Sequence, residues 1–148
     1  IGIKIIATFF GLGYLPKASG TIAAFCACLL FFLLHDIGIS WGPILVLLAV
    51  ILVLGVYVSA CLEEIWGKDN SRIVLDEVFG MGVALLYVPH QMKVYLAVFA
   101  LFRLLDIWKP LGIRYLESLN KGWGVMADDF LAGIYANLFF HILQFILL

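Results

Sequence analysis

The 148-residue chain is 65% hydrophobic and only 13% charged, against about half and about a quarter in soluble domains. With a mean hydropathy of +1.13, the apolar excess is more than one core can absorb, so the expected solvent is lipid. A net charge of −1 excludes a broad basic nucleic-acid surface, and no nucleic-acid-binding motif is present.

The sequence begins at Ile1, so a few upstream residues are expected, and no charged stretch, short apolar run and cleavage site combine into a removable signal peptide. Residues 1–15 are apolar but broken by Lys4, Gly11 and Gly13; they fit an interfacial or re-entrant segment better than a span. Residues 20–34 form a first expected helix, closed by His35-Asp36. Residues 43–62 form a second, without a charge and at the length of about 20 that a bilayer core requires. A polar loop from Glu63 through Asp69 to Arg72 follows. The third helix spans 76–88 before Pro89, and the fourth 93–108 before Pro110. A second polar loop, 111–127, ends glycine-rich, and residues 128–148 form the last helix. The expected fold class is therefore all-α, a single membrane-embedded domain over 1–148 with about five transmembrane helices, some short. Cys26, Cys28 and Cys61 lie in or beside apolar runs and read as small packing residues.

If the helices cross alternately, eight of nine Lys/Arg and nine of ten Asp/Glu fall on one face, with Lys93 and Asp36 opposite. The basic excess makes that face cytoplasmic. Trp66, Trp108 and Trp123 fall at that boundary and Trp41 at the other, as interfacial tryptophans should. A plain membrane anchor has no reason to gather the acids on one side.

Asp76-Glu77 and Asp128-Asp129 are each expected to open a helix. One acid per helix would be explained by capping and the macrodipole. Two adjacent acids beside a medium that penalises charge ask for a counter-charge. Carboxylates without His or Cys are hard oxygen ligands, suited to Mg²⁺ and also to Mn²⁺. Gly80, Gly82 and Ala84, facing Ala132, Gly133 and Ala136, would let the two helices approach closely and bring all four acids together. Arg103, Asp106 and Lys109 recur every three residues and share a helical face. They read as an interfacial snorkelling rim or as a phosphate site, in which Arg103 and Lys109 bind phosphate and Asp106 is a metal ligand or proton-transfer group. The glycine-bearing segment 11–21, with Lys17, Ser19, Gly20 and Thr21, leads into a helix N-terminus whose amides suit an anion. Ser19 also reads as a simple N-cap. His35, His90 and His141 fall away from the acids. Glu63, Glu64 and Glu117 read as solvated loop acids, and Arg114 and Lys121 as attractors of anionic headgroups.

Four blocks carry a family likeness: the 11–21 loop; Leu75-Asp76-Glu77-Val78-Phe79-Gly80; Phe102-Arg103-x-x-Asp106-Ile107-x-Lys109-Pro110; and Gly122-x-Gly124-Val125-Met126-x-Asp128-Asp129-x-x-Ala132-Gly133-x-Tyr135-Ala136. Over almost its whole length the chain resembles the phosphatidylglycerophosphatase A family of bacterial membrane lipid phosphatases. The resemblance implies Mg²⁺-dependent removal of the terminal phosphate of phosphatidylglycerophosphate at the bacterial inner membrane. Ser19 and Gly112 stand where that family more often has proline, which bears on loop stiffness rather than on a ligand. The resulting expectation has Asp76, Glu77, Asp128 and Asp129 holding one or two Mg²⁺, and Lys17, Gly20, Thr21, Arg103 and Lys109 holding the phosphate. Asp106 and Asp129 carry the catalysis, with the site facing the cytoplasm. The rival readings are a small cation-binding transporter or channel subunit, and a lipid phosphotransferase.

Overall fold

The computed structural model describes residues 1–68 and 70–148; Asp69, part of the first expected polar loop, lies outside the described residues. Among the described residues the chain is helical throughout, with no strand. The helices are α1 (Gly2–Ala7), α2 (Ser19–Asp36), α3 (Trp41–Trp66), α4 (Leu75–Ala84), α5 (Met92–Trp108), α6 (Ile113–Leu116) and α7 (Trp123–Leu147), with a 3₁₀ turn at Leu12–Tyr14. Three of them, α2, α3 and α7, at 18, 26 and 25 residues, are long and apolar enough to cross a membrane. The expected third and fourth helices are shorter. The ten residues of α4 rise about 15 Å and the seventeen of α5 about 26 Å, so neither reaches the length of a simple span.

The shortness of α4 follows from its position. Every residue of α4 except Glu77 is buried, as expected of a helix apolar on all sides, and α2, α3, α5 and α7 surround it. Its glycines permit this crowding. A Cβ on Gly82 would fall 2.4 Å from Leu48 Cδ2 and 2.7 Å from Phe31 Cζ; one on Gly133 of α7 would fall 2.5 Å from the Gly80 carbonyl oxygen. The helix ends inside the bundle, where its last carbonyls need donors. Asn137 Nδ2 supplies them, donating to Ala84 O at 3.0 Å and to Leu86 O at 2.7 Å. His141 Nε2 adds a third contact to Leu86 O at 3.1 Å.

The N-terminal segment docks on the end of α3. Ala7 is fully buried against Val58, Leu62 and Ile73, and its carbonyl accepts from Val74 N at 2.9 Å. A Cβ on Gly13 would overlap the Arg72 carbonyl at 1.9 Å, so the loop backbone lies directly on the segment that leads into α4. Two helix starts differ from expectation. Ser19 is the first residue of α2 rather than its cap, because Ala18, left-handed at φ 54°, holds that place; its hydroxyl donates instead to Ser71 O at 3.0 Å. The glycine-rich end of the second loop is helical, so α7 begins at Trp123, a turn and a half before Asp128.

Candidate active site

The N-terminal end of the central helix is where the acids meet. Asp76 and Glu77 lie in the first turn of α4, Asp106 near the end of α5, and Asp128 and Asp129 in the second turn of α7. Asp76, Asp106, Asp128 and Asp129 are all buried, the last two at 3% and 2% exposure. Ligand oxygens of Asp76, Asp128 and Asp129 all lie within 4.8 Å of one another, as do those of Glu77, Asp106 and Asp129. Asp129 belongs to both groups. The close approach of α4 and α7 produces this, since a Cβ on Gly80 would stand 2.7 Å from the Asp129 carbonyl oxygen.

Helix capping does not account for these carboxylates. No side chain caps α4, and Asp128 and Asp129 are the sixth and seventh residues of α7, beyond its free amides. Asp76 Oδ1, Glu77 Oε2 and Asp129 Oδ2 are buried without a hydrogen-bond partner among the described residues. Buried polar atoms are normally paired, and these orphaned oxygens on three converging carboxylates are ones that could hold a cation.

Two cations stand at the rim, both already engaged. Arg103 Nη1 donates to Asp106 Oδ2. Lys109 Nζ donates to Asp128 Oδ2 at 2.8 Å and to Glu117 Oε1. Lys109 ends α5 in a left-handed conformation, φ 53°, with Pro110 next, so its side chain turns back over α7. Burial disfavours its charge, but the hydrogen bonds to Asp128 and Glu117 outweigh that and hold its ammonium above the usual lysine range. Five buried or half-buried carboxylates against two cations leave an excess of negative charge. The donor set, all carboxylate, fits Mg²⁺ or Mn²⁺.

The start of α2 lies against this cluster. A Cβ on Gly20 would sit 2.3 Å from Glu77 Oε1, so the helix end and the Glu77 carboxylate are in direct contact, and a larger residue there would push that side chain aside. The first-turn amides of Ser19, Gly20 and Thr21 are not used by the helix itself, and its positive end faces the acids. Lys17 is exposed and forms no ion pair among the described residues, while Thr21 is half-buried. The histidines are remote from all of this. His35 packs on Trp41, His90 stacks on Phe32 and His141 contacts Leu86 O.

Sequence reasoning missed one participant. Glu117, expected to be a solvated loop acid, forms an ion pair with Lys109. The signal available was its place eight residues after Lys109, across a loop bounded by Pro110 and Gly122.

A family model described as phosphatidylglycerophosphatase A matches residues 5–144. The chain belongs to the phosphatidylglycerophosphatase A family. It is 36% identical over 147 residues to the "Phosphatidylglycerophosphatase A" of Haemophilus influenzae, covering 97% of this chain and 89% of that one. It is 32% identical over 133 residues to the Escherichia coli protein of the same name, covering 88% and 76%. A Bacteroides thetaiotaomicron relative named "Putative phosphatidylinositol-3-phosphatase" is 42% identical over 139 residues, covering 89% and 87%. No solved structure matches. Family membership makes the chain a phosphatase and accounts for its apolar helices as those of a membrane protein.

Proposed function

We propose that the chain hydrolyses the terminal phosphomonoester of phosphatidylglycerophosphate in a Mg²⁺-dependent reaction, giving phosphatidylglycerol and inorganic phosphate. The observation that carries this reading is the convergence of Asp76, Glu77, Asp106, Asp128 and Asp129, with three orphaned oxygens, beside Lys109 and Arg103. Asp76, Glu77, Asp128 and Asp129 would hold the metal, Asp129 being shared between the two groups. A divalent cation held by these carboxylates would supply neutralisation of phosphate oxygens and polarisation of the phosphoryl group.

The remaining work falls to the protein. Lys109 and Arg103 present charge to the phosphate rim, Arg103 with its guanidinium Nε unpaired and Lys109 as a point charge. The first-turn amides at Gly20 and Thr21 add donors aimed at an anion, and Lys17 supplies an approaching positive charge. Asp106, oriented by Arg103, takes the proton that water gives up and returns it to the leaving glycerol oxygen. The products are the lipid alcohol and phosphate.

We read α4 and α5 as short crossings that complete a five-segment topology, with the site facing the cytoplasm of the bacterial inner membrane. The one-sided distribution of basic residues supports this. Acyl chains would stay in lipid, with only the headgroup entering the polar rim. A cation-transporting subunit would need acids along a path through the bundle; here the acid cluster sits at one end, and α4 closes on carbonyls capped by Asn137 and His141. A phosphotransferase could use the same acids, and the family favours hydrolysis. The name of the Bacteroides relative motivates a second headgroup, a phosphoinositide.

The test is phosphate release by the purified chain from phosphatidylglycerophosphate, phosphatidylinositol-3-phosphate and phosphatidic acid in matched micelles. Strong preference for the first supports the proposal. Preference for the inositol lipid moves the assignment to the second headgroup, and no release from any by folded protein sinks both.

A further inference from the structure

We infer that Glu117 is a positioning residue for Lys109: its carboxylate draws the ammonium partly off Asp128 and so leaves that carboxylate available to a divalent cation. This rests on the metal-dependent reading above and concerns a residue outside both carboxylate groups.

The three charged groups form a ladder from solvent to interior. The Glu117 side chain is 39% exposed, Lys109 21% and Asp128 5%. An ammonium has three donors, and here it divides them between an outer and an inner carboxylate. Asp128 has little to spare. Its Oδ1 accepts the Asp129 amide at 2.9 Å, and its Oδ2 accepts Lys109 at 2.8 Å. Without Glu117, the buried Asp128 would be the one carboxylate left to neutralise Lys109. A tight buried ion pair would then compete with the metal for the same oxygen.

The loop that carries Glu117 is fastened to α7 at two places. Tyr135 Oη donates to Leu111 O at 2.9 Å. Farther along, Gly124 lies so close to the loop that a Cβ would meet Leu119 O at 2.6 Å and Glu117 O at 2.9 Å. Fully buried Ile113 pins α6 between these points. The backbone of Glu117 is therefore set relative to Asp128, four residues beyond Gly124 on the same helix. A freely solvated acid would need none of this anchoring.

The experiment is calorimetric titration of the detergent-solubilised full chain with Mn²⁺ alone, without substrate. The variants are Glu117→Gln, Glu117→Asp, Lys109→Met and the double variant Lys109→Met/Glu117→Gln. Glu117→Gln should weaken Mn²⁺ binding by about 10- to 100-fold, the range typical of partners that orient a metal ligand. Glu117→Asp should recover most of the affinity. In the Lys109→Met background, where no ammonium competes, Glu117→Gln should change the affinity little. Wild-type affinity in Glu117→Gln would overturn the inference. So would an equal loss with and without Lys109, which would mean a long-range charge effect. The metal reading itself is separated by Asp129→Asn. If wild type and Asp129→Asn bind Mn²⁺ equally, the proposed site fails and the inference falls with it.

Discussion

Gly80 and Gly133 bring α4 and α7 into backbone contact: a Cβ on Gly133 would stand 2.5 Å from the Gly80 carbonyl oxygen. That approach sets the carboxylates of Asp76 and Asp129 about one turn away on the same pair of helices. The atom in the way is backbone and cannot swing aside. Gly133→Ala should therefore lower stability by about 1–3 kcal/mol, the usual range for overpacking, and reduce turnover with it. Thermal unfolding in detergent beside an activity assay reads both. Gly42→Ala, where nothing lies within 4 Å, is the matched control and should be tolerated. Equal stability of the two variants would contradict the packing account.

Asn137 solves a problem created by the short central helix. Its amide serves the carbonyls of Ala84 and Leu86; without it Ala84 O would lose this donor in an apolar interior and Leu86 O would keep only its contact with His141. Asn137→Leu should cost about 1–3 kcal/mol without altering metal affinity, because the residue lies two turns from Asp129 toward the far end. A large loss of Mn²⁺ binding with unchanged stability would show that Asn137 acts on the site instead.

Much of this arrangement was legible in the sequence, and the reasons differ by element. The uncharged run in α3 and the acid pairs stood out because lipid makes every charge expensive. The small residues Gly80 and Gly133 pointed to the α4–α7 approach because few other residues permit it; Gly82, read with them, instead meets Leu48 and Phe31. The true start of α7 was hidden. Gly122 and Gly124 read as loop, yet Gly124 is helical because it must pass beneath Glu117 and Leu119. The length of α4 was equally hidden, since its end depends on Asn137 and His141, about fifty residues later in the chain. Glu117 was passed over because local sequence does not reveal that a loop acid will meet Lys109.

Asp129 is shared by both carboxylate groups, which makes it the most demanding position. Asp129→Asn keeps the shape and removes one charge from a crowded cluster. Turnover should fall by more than the about 10- to 100-fold typical of outer partners. The metal-free protein should be as stable as wild type or more so, because like-charge repulsion is relieved. A variant that unfolds, or one that keeps wild-type turnover, would contradict the assignment of Asp129 to the metal.

Lys109 and Arg103 are expected to act on the substrate rather than on folding. Lys109→Met should lower kcat/KM for the lipid by about ten-fold or more, the equivalent of about 1.4 kcal/mol or more of lost phosphate interaction. Its Mn²⁺ affinity should rise, because Asp128 is freed. A fall in both would place Lys109 in the structural frame of the site rather than on the phosphate.

The central claim, that the converging carboxylates hold a divalent cation required for phosphate removal, is tested most directly by metal removal. The measurement is phosphate release from phosphatidylglycerophosphate micelles by the purified chain, before EDTA, after EDTA, and after Mg²⁺ is restored. Loss on chelation and full recovery with Mg²⁺ is the expected result. Undiminished release in excess EDTA would contradict it.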